Sequence, residues 1–535
     1  MQHNIIIKYI YLLIVFTAPV LFEQCGTGKI LTSSKNEQEI FINDKEAKII
    51  PAPVYDNYTG TIFSLTPSSK IYSDPSSLPV KKIALYLQDK LSPSTGFPLD
   101  IVDNIPDSSH GNIFLSIINS DSALGTEGYK LTVSTDSIYL QAFKPEGLFR
   151  GVQTIRQLFP SAIESPAKYY DNWTIESRTI IDYPRYHWRG AMLDVARHFF
   201  SVKDVEKYID VLALYKINVF HIHLTDDQGW RIMIHSWKNL AEYGGSTATG
   251  GDPGGYYTQK DYSEIVDYAK DRYINVVPEI DMPAHTNAAL ASYAELNCNG
   301  IAPPLYGGTN VGFCSLCLDS PITYSFLDDV IKELAAITPG KYIHIGGDEA
   351  RTLAISQYAG FIDKVEKIVH KYGKEVIGWE EIRNATVDTG TIVQFWANSN
   401  LARAAAKAGM KLLLSPASKI YIDMKYDSST TLGQNWAGYV SVKTAYNWDP
   451  LDFVDVSNAN NIVGVEAPLW TETIKTLSDI EYMAFPRILC AAEIGWSPKS
   501  RKNWSDFAAR LSLQNSIWNF MGVNYYKSKE INWKQ

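Results

Sequence analysis

Two adjacent carboxylates, Asp348 and Glu349, follow directly on a short apolar run, Tyr342-Ile-His-Ile345, and a glycine pair, Gly346-Gly347. Alternating apolar residues closed by glycines predict a buried strand that turns away sharply where the acids begin. Glycine frees the backbone there and leaves room for a close approach. Neighbouring carboxylates resist ionising together, so one can hold a proton while the other stays charged. That suits acid–base chemistry at the mouth of a sheet or barrel. Taken alone the dipeptide reads as a solvated acidic turn, and it is the strand, the glycines and His344 in front of it that favour a catalytic pair.

The surrounding chain repeats one theme: apolar strand, chemically able residues, helix. Residues 190–195 lead into Arg197-His198, and 218–224 into Asp226-Asp227-Gln228. Residues 274–280 lead into Asp281 and His285, 375–378 into Trp379-Glu380, and 391–395 into Trp396. Residues 411–414 precede Tyr421 and Asp423, and 462–465 precede Trp470 and Glu472. With the Asp348 strand these make eight candidates, and helical spacing fills 202–214, 258–271 and 321–336 between several of them. Eight β/α units predict a (β/α)₈ TIM barrel over residues 183–520, with a C-terminal tail at 521–535. An open doubly wound sheet would gather a ligand at one switch point instead of using most strand ends.

Ahead of the barrel, residues 47–182 read as a small α+β domain. Helical spacing runs over 80–91 and 147–158, a strand over 112–118, and a hairpin pairs 128–133 with 137–142. No acid pair or histidine cluster occurs there, so the domain reads as support. At the start, Lys8 and the apolar stretch 9–22 predict a signal peptide over 1–24 that is short for a membrane span. Cys25 then offers a lipoprotein-type attachment to a membrane, and 25–46 is a polar linker.

The full chain has 535 residues, 45% hydrophobic and 20% charged, enough for more than one domain and ordinary for a globular protein. Its net charge of −9, with no basic tract, excludes nucleic acid as a partner. Its 13 Trp and 33 Tyr offer flat apolar faces of the sort that stack on sugar rings, though large cores use them too. Beyond Cys25 and Cys490, the cysteines are Cys298, Cys314 and Cys317. No second ligand pair accompanies Cys314-Ser-Leu-Cys317 at zinc spacing, so one local disulfide among the three is expected. His221 and His223 share a strand face that a metal tolerates, but packing inside the barrel is the reading adopted, and neither metal nor cofactor is expected.

Four long motifs, in order, resemble those of glycoside hydrolase family 20, the β-N-acetylhexosaminidases. They are Arg189-Gly-Ala-Met-Leu-Asp-Val-Ala-Arg-His198, His221-Ile-His-Leu-Thr-Asp-Asp-Gln-Gly-Trp230, Pro278-Glu-Ile-Asp-Met-Pro-Ala-His285 and His344-Ile-Gly-Gly-Asp-Glu349. The likeness spans residues 47–520; the one departure is Ala284, where relatives carry glycine. The resemblance implies an exo-acting, retaining enzyme that removes terminal β-linked N-acetylglucosamine or N-acetylgalactosamine. It implies substrate-assisted catalysis, in which the 2-acetamido oxygen attacks the anomeric carbon. Glu349 is then the general acid and later base, with its pKa held high beside Asp348. Asp348 stays ionised against the acetamido N–H, and Tyr421 donates to the acetamido oxygen. Trp379, Trp396 and Trp470 wall the sugar, Arg197, Asp423 and Glu472 bond its hydroxyls, and Asp226 with His285 positions the acid.

Export, to a periplasmic, outer-membrane-anchored or secreted location, is expected. Three alternatives make different predictions. A family 20 lacto-N-biosidase would release a disaccharide, a non-catalytic glycan-binding surface protein would turn nothing over, and a metal hydrolase built on His221 and His223 would be sensitive to chelators.

Overall fold

The computed structural model describes residues 48–103, 110–118, 121–397 and 399–534. The expected signal segment, Cys25 and the whole of the linker lie outside them. The N-terminal part is a seven-stranded mixed sheet: β1 (Tyr55–Ser64), β2 (Ile71–Ser73), β3 (Ile101–Val102), β4 (Asn112–Ile117), β5 (Tyr129–Val133), β6 (Ser137–Ala142) and β7 (Thr174–Asp182). Their spatial order is β1-β7-β5-β6-β4-β2-β3. Two helices pack on this sheet, α1 (Leu78–Thr95) and α2 (Pro145–Leu158). Leu148, Val152 and Ile155 of α2 recur at helical spacing and are fully buried, which is the pattern of a helix lying on a sheet.

All eight strands expected from the sequence close one parallel barrel. They are β8 (Trp188–Asp194), β9 (Val219–His223), β12 (Asn275–Glu279), β13 (Tyr342–His344), β14 (Glu375–Trp379), β15 (Ile392–Phe395), β16 (Lys411–Leu414) and β17 (Ile462–Leu469). Between β9 and β12 a two-residue ribbon, β10 (Thr225–Asp226) with β11 (Gly229–Trp230), folds over the barrel mouth. The first outer helix, α3 (Val202–Leu214), is started by a capping box between Ser201 and Asp204. The expected helices at 258–271 and 321–336 form as Gln259–Lys270 and Pro321–Ile337.

The barrel interior is layered. Trp188, Val219, Val277, Ile377, Ile392 and Leu413 plug the N-terminal end with apolar side chains. Above the plug sits a polar layer of His221, His344, Glu279, Glu466 and Gln394, all at most 1% exposed. Burying so many polar groups is costly, and ion pairs and hydrogen bonds within the layer offset much of that cost. His221 lies between Glu466 (2.8 Å) and Glu279 (3.0 Å), while Gln394 donates to Glu466 (2.9 Å). The expectation that His221 and His223 pack inside the barrel is met, with carboxylates facing both nitrogens of each ring.

The N-terminal sheet and the barrel share a buried seam. Asp182, at the end of β7, accepts from Lys216 Nζ (2.8 Å), Tyr129 Oη (2.7 Å) and Trp496 Nε1 (2.8 Å). The expected local disulfide joins Cys298 to Cys317, and Cys314 is a free thiol 3.1 Å from Asp227 Oδ1. The last residues turn back onto the barrel, where Trp533 packs near Trp518. No helix among the described residues is long and apolar enough to cross a membrane.

Candidate active site

A cavity of about 400 Å³ opens at the C-terminal end of the barrel strands. That size suits one small ligand. Its lining includes Arg197, His285, Asp348, Glu349, Trp379, Trp396, Tyr421, Trp470 and Glu472, each expected from the sequence. The two other expected residues stand behind this wall. Asp226 is 2% exposed below His285 and Arg197, and Asp423 is 1% exposed with no protein donor on either carboxylate oxygen.

The acid pair leaves β13 on a turn that only glycine can make. Gly346 has φ +64°, and a Cβ there would lie 1.8 Å from Asp281 Oδ1. Gly347 donates its N–H to that same oxygen at 3.1 Å, so Asp281 ties the turn to the strand beside it. Glu349 itself adopts φ +50° and His285 φ +54°, a left-handed backbone that costs on the order of 1–3 kcal/mol per residue. Such strain is concentrated where side chains must be aimed.

His285 links the pair to the barrel. Its Nδ1 is 3.2 Å from Asp226 Oδ1, and its Nε2 lies 3.5 Å from Glu349 Oε2 and 3.6 Å from Asp348 Oδ2, ion-pair range on the second side. Burial works against its charge, yet Asp226 and Asp348 overcome it and hold the imidazole protonated. Asp226 is the anchor. It takes Arg197 Nη2 at 2.7 Å and His223 Nε2 at 2.9 Å, and although burial raises its pKa, these cations hold it far below the ordinary carboxylate range.

The expectation that Glu349 is held high is not met: burial pushes Asp348 up, while Glu349 is held down. Burial raises Glu349 as well, but the hydrogen bond and charge of His285, then Arg351 and Arg197, outweigh it. Asp348 also faces His285, yet it is deeper and carries the added pressure of Glu279, Glu349 and Asp226. The sequence reading counted only the chain neighbour as a charge. The loop after β12 and the residue two places on supply the deciding cations.

The walls are aromatic. Trp379 and Trp470 lie 5.7 Å apart, Tyr421 and Trp470 6.4 Å, and Trp396 and Trp436 5.9 Å edge-on. Glu279 fixes Trp379 by accepting its Nε1–H at 2.8 Å, and Glu380 fixes Trp396 through its backbone N–H at 3.1 Å. Arg197 lies 4.9 Å over the Trp470 ring and is further held by Asp194 (3.4 Å) and Gln228 (3.1 Å). Glu472 Oε2 and Asp348 Oδ1 are buried without a protein donor. Acceptors kept dry and unpaired in this way are costly unless a ligand brings the hydrogens.

Sequence reasoning missed Gln434, Trp436, Thr309, Val311 and Arg351, which complete the lining. They come from loops without strand or helix patterning. Trp436, 54% exposed between Asn435 and Ala437, carried only the weak signal of a large aromatic in a polar loop.

A closed parallel barrel that gathers an acid pair, aromatic walls and unpaired carboxylates at its strand ends defines a barrel hydrolase acting on sugars. The family models narrow that class. Glycosyl hydrolase family 20, catalytic domain, matches residues 186–499, and glycosyl hydrolase family 20, domain 2, matches 46–183. The chain belongs to glycoside hydrolase family 20 and is a glycoside hydrolase.

The β-N-acetylhexosaminidase of Cellulomonas fimi is 38% identical over 91% of this chain and 97% of its own. The solved family 20 β-N-acetylhexosaminidase of Streptomyces coelicolor A3(2) is 48% identical, with a TM-score of 0.88 over 91% of this chain and 99% of that one. A Streptomyces plicatus β-hexosaminidase variant, solved in complex with the product GlcNAc, is 47% identical with the same TM-score, over 92% and 98%.

Proposed function

We propose that the protein is an exo-acting, retaining β-N-acetylhexosaminidase that removes terminal β-linked N-acetylglucosamine or N-acetylgalactosamine by substrate-assisted catalysis. The observation that carries this reading is the placement of Asp348 and Glu349 on one strained turn, at the side of an aromatic pocket sized for one sugar. A pocket, rather than an open cleft, supports removal of a chain end. The relatives named above are β-N-acetylhexosaminidases or β-hexosaminidases by their names.

In this reaction the substrate's 2-acetamido oxygen attacks the anomeric carbon as the glycosidic oxygen takes a proton from Glu349. The resulting oxazolinium ring is opened by water, with Glu349 returning as base. Asp348 accepts the acetamido N–H on its unpaired Oδ1 and balances the charge developing on nitrogen. Trp379 and Trp470 press the acetamido group inward, and Tyr421 donates to its oxygen.

A bound acetamido N–H stabilises ionised Asp348, and that neighbouring negative charge in turn favours the protonated form of Glu349.

Release of 4-nitrophenol from the β-N-acetylglucosaminide, against the matched β-glucoside, tests the assignment in wild type, Glu349→Gln and Asp348→Asn. Activity is expected on the N-acetyl substrate alone, with losses of about 10²–10⁴ in both variants. Equal activity on the glucoside would mean an enzymic nucleophile and end the substrate-assisted reading. Silence on both, with disaccharide release from a longer glycan, would select the lacto-N-biosidase alternative.

Export belongs to the same proposal. The basic and apolar start of the chain supports it, as does the Cys298–Cys317 disulfide, a bond that persists in oxidising compartments. Membrane attachment through Cys25 is checked by fractionating cells that carry wild type and Cys25→Ser.

A further inference from the structure

Arg351 stands at the pocket mouth and has no part in the reaction described above. Its side chain is 63% exposed, yet it is seated. A Cβ on Gly312 would fall 2.8 Å from its Cδ, so the bare backbone at 312 forms a notch for its stem. Its backbone N–H donates to the Glu349 carbonyl at 2.6 Å, and its Nη2 reaches Glu349 Oε1 at 2.5 Å. The guanidinium thus already holds a carboxylate. The other lining residues that come from loops without strand or helix patterning, Thr309, Val311, Gln434 and Trp436, are neutral. Arg197, the pocket's other arginine, is buried and engaged by Asp194, Asp226 and Gln228. Among the described lining residues, Arg351 is the arginine whose donors face solvent.

We propose that Arg351 reads the residue that leaves, selecting β-N-acetylhexosaminides in which the leaving sugar carries a carboxylate, a hexuronic acid. The inference rests on Glu349 being the acid, since the oxygen it protonates then belongs to the leaving sugar and Arg351 is bound to that same carboxyl. Arginine's planar fork matches a carboxylate through two parallel hydrogen bonds, a stronger and more oriented contact than a neutral hydroxyl offers. An exposed ion pair such as Arg351–Glu349 is worth little, so exchanging one carboxylate partner for another is cheap.

The exchange also serves the chemistry. The charged groups facing Glu349 are Asp348 beside it, His285 with Asp226 behind it, Arg197, and Arg351. Of these, the cation a substrate can draw away is Arg351. When a uronate takes the guanidinium, Glu349 loses a counter-cation and gains a nearby anion, and both changes favour its protonated form.

The test uses one matched pair: N-acetylglucosaminyl-β-(1→4)-glucuronic acid and its methyl ester, which differ at the leaving sugar only in charge. For wild type, kcat/KM is expected to be about tenfold higher on the acid than on the ester, falling as salt rises. In Arg351→Gln, an exposed change that the fold tolerates, the ratio drops to about one. On the 4-nitrophenyl substrate the same variant moves the basic limb of the kcat/KM profile to higher pH, because Glu349 has lost a cation. A merely structural role would leave that limb in place. A wild-type ratio of one or less, or a preference that survives in Arg351→Gln, overturns the proposal. So does cleavage of the 4-nitrophenyl glycoside with neither disaccharide cleaved. Inactivity on the 4-nitrophenyl glycoside instead removes the hexosaminidase reading beneath it.

Discussion

His285 sets the charge balance of the pocket, and its removal has a signed consequence. Burial pushes both Asp348 and Glu349 up, and the imidazolium between them opposes that rise in each. In His285→Asn both carboxyl pKa values climb. The proposed mechanism needs Asp348 ionised and Glu349 protonated, so under it the acid limb and the basic limb of kcat/KM both move to higher pH. The bell is displaced rather than narrowed, and its height falls because the acid has lost its steering partner. A pH–rate profile of the purified variant checks this, and a shift of one limb alone would show that His285 acts on a single carboxyl. The identities of these residues were legible in the sequence because motifs carry them. Their polarity was not, because it depends on distances from Glu349 to His285 and Arg351 that close only in the fold.

At the scale of elements, the turn after β13 shows why glycine stands where the chemistry begins. Gly346→Ala would place a methyl group 1.8 Å from Asp281 Oδ1 on a backbone at φ +64°. The left-handed conformation alone costs on the order of 1 kcal/mol or more for a residue with a Cβ, and the overlap must be relieved by moving the Asp281 carboxylate. The expected outcome is a lower melting temperature together with a loss of kcat larger than the instability explains, since Asp281 also holds Gly347 beneath the acids. Differential scanning fluorimetry and kcat on the same preparation separate the two.

The eight strands were readable because each is a short apolar run closed by polar or aromatic residues, and strand ends in a barrel are where function collects. Thr309, Val311, Gln434 and Trp436 were unreadable for the complementary reason. Their loops take shape from tertiary contacts such as Gly433 N–H to Thr473 Oγ1 (2.7 Å), which leave no periodic trace. Glu279 was visible inside its motif, but nothing local showed that it would accept from Trp379 two strands away.

For the whole molecule, the question is what the N-terminal sheet does for a barrel that holds the entire site. The seam at Asp182 answers it: Lys216, which leads from α3 toward β9, is fully buried, and its ammonium is neutralised by a carboxylate from the other domain at 2.8 Å. A barrel without that sheet would carry an unpaired charge in its own wall, which is why the two parts are stable together. Breaking such a pair from one side costs about 3–5 kcal/mol, whereas replacing both partners with apolar residues of similar volume is often close to neutral. Asp182→Ala is therefore expected to lose several kcal/mol in denaturant unfolding, aggravated because Tyr129 and Trp496 lose their acceptor. Lys216→Met in that background should recover much of the loss, since the charge that made the gap costly is gone. The site lies at the opposite end of the barrel, so kcat per folded molecule is expected to be unaltered in both variants. A double variant no more stable than Asp182→Ala would show that the seam is held by Asp182's hydrogen bonds to Tyr129 and Trp496 rather than by the ion pair.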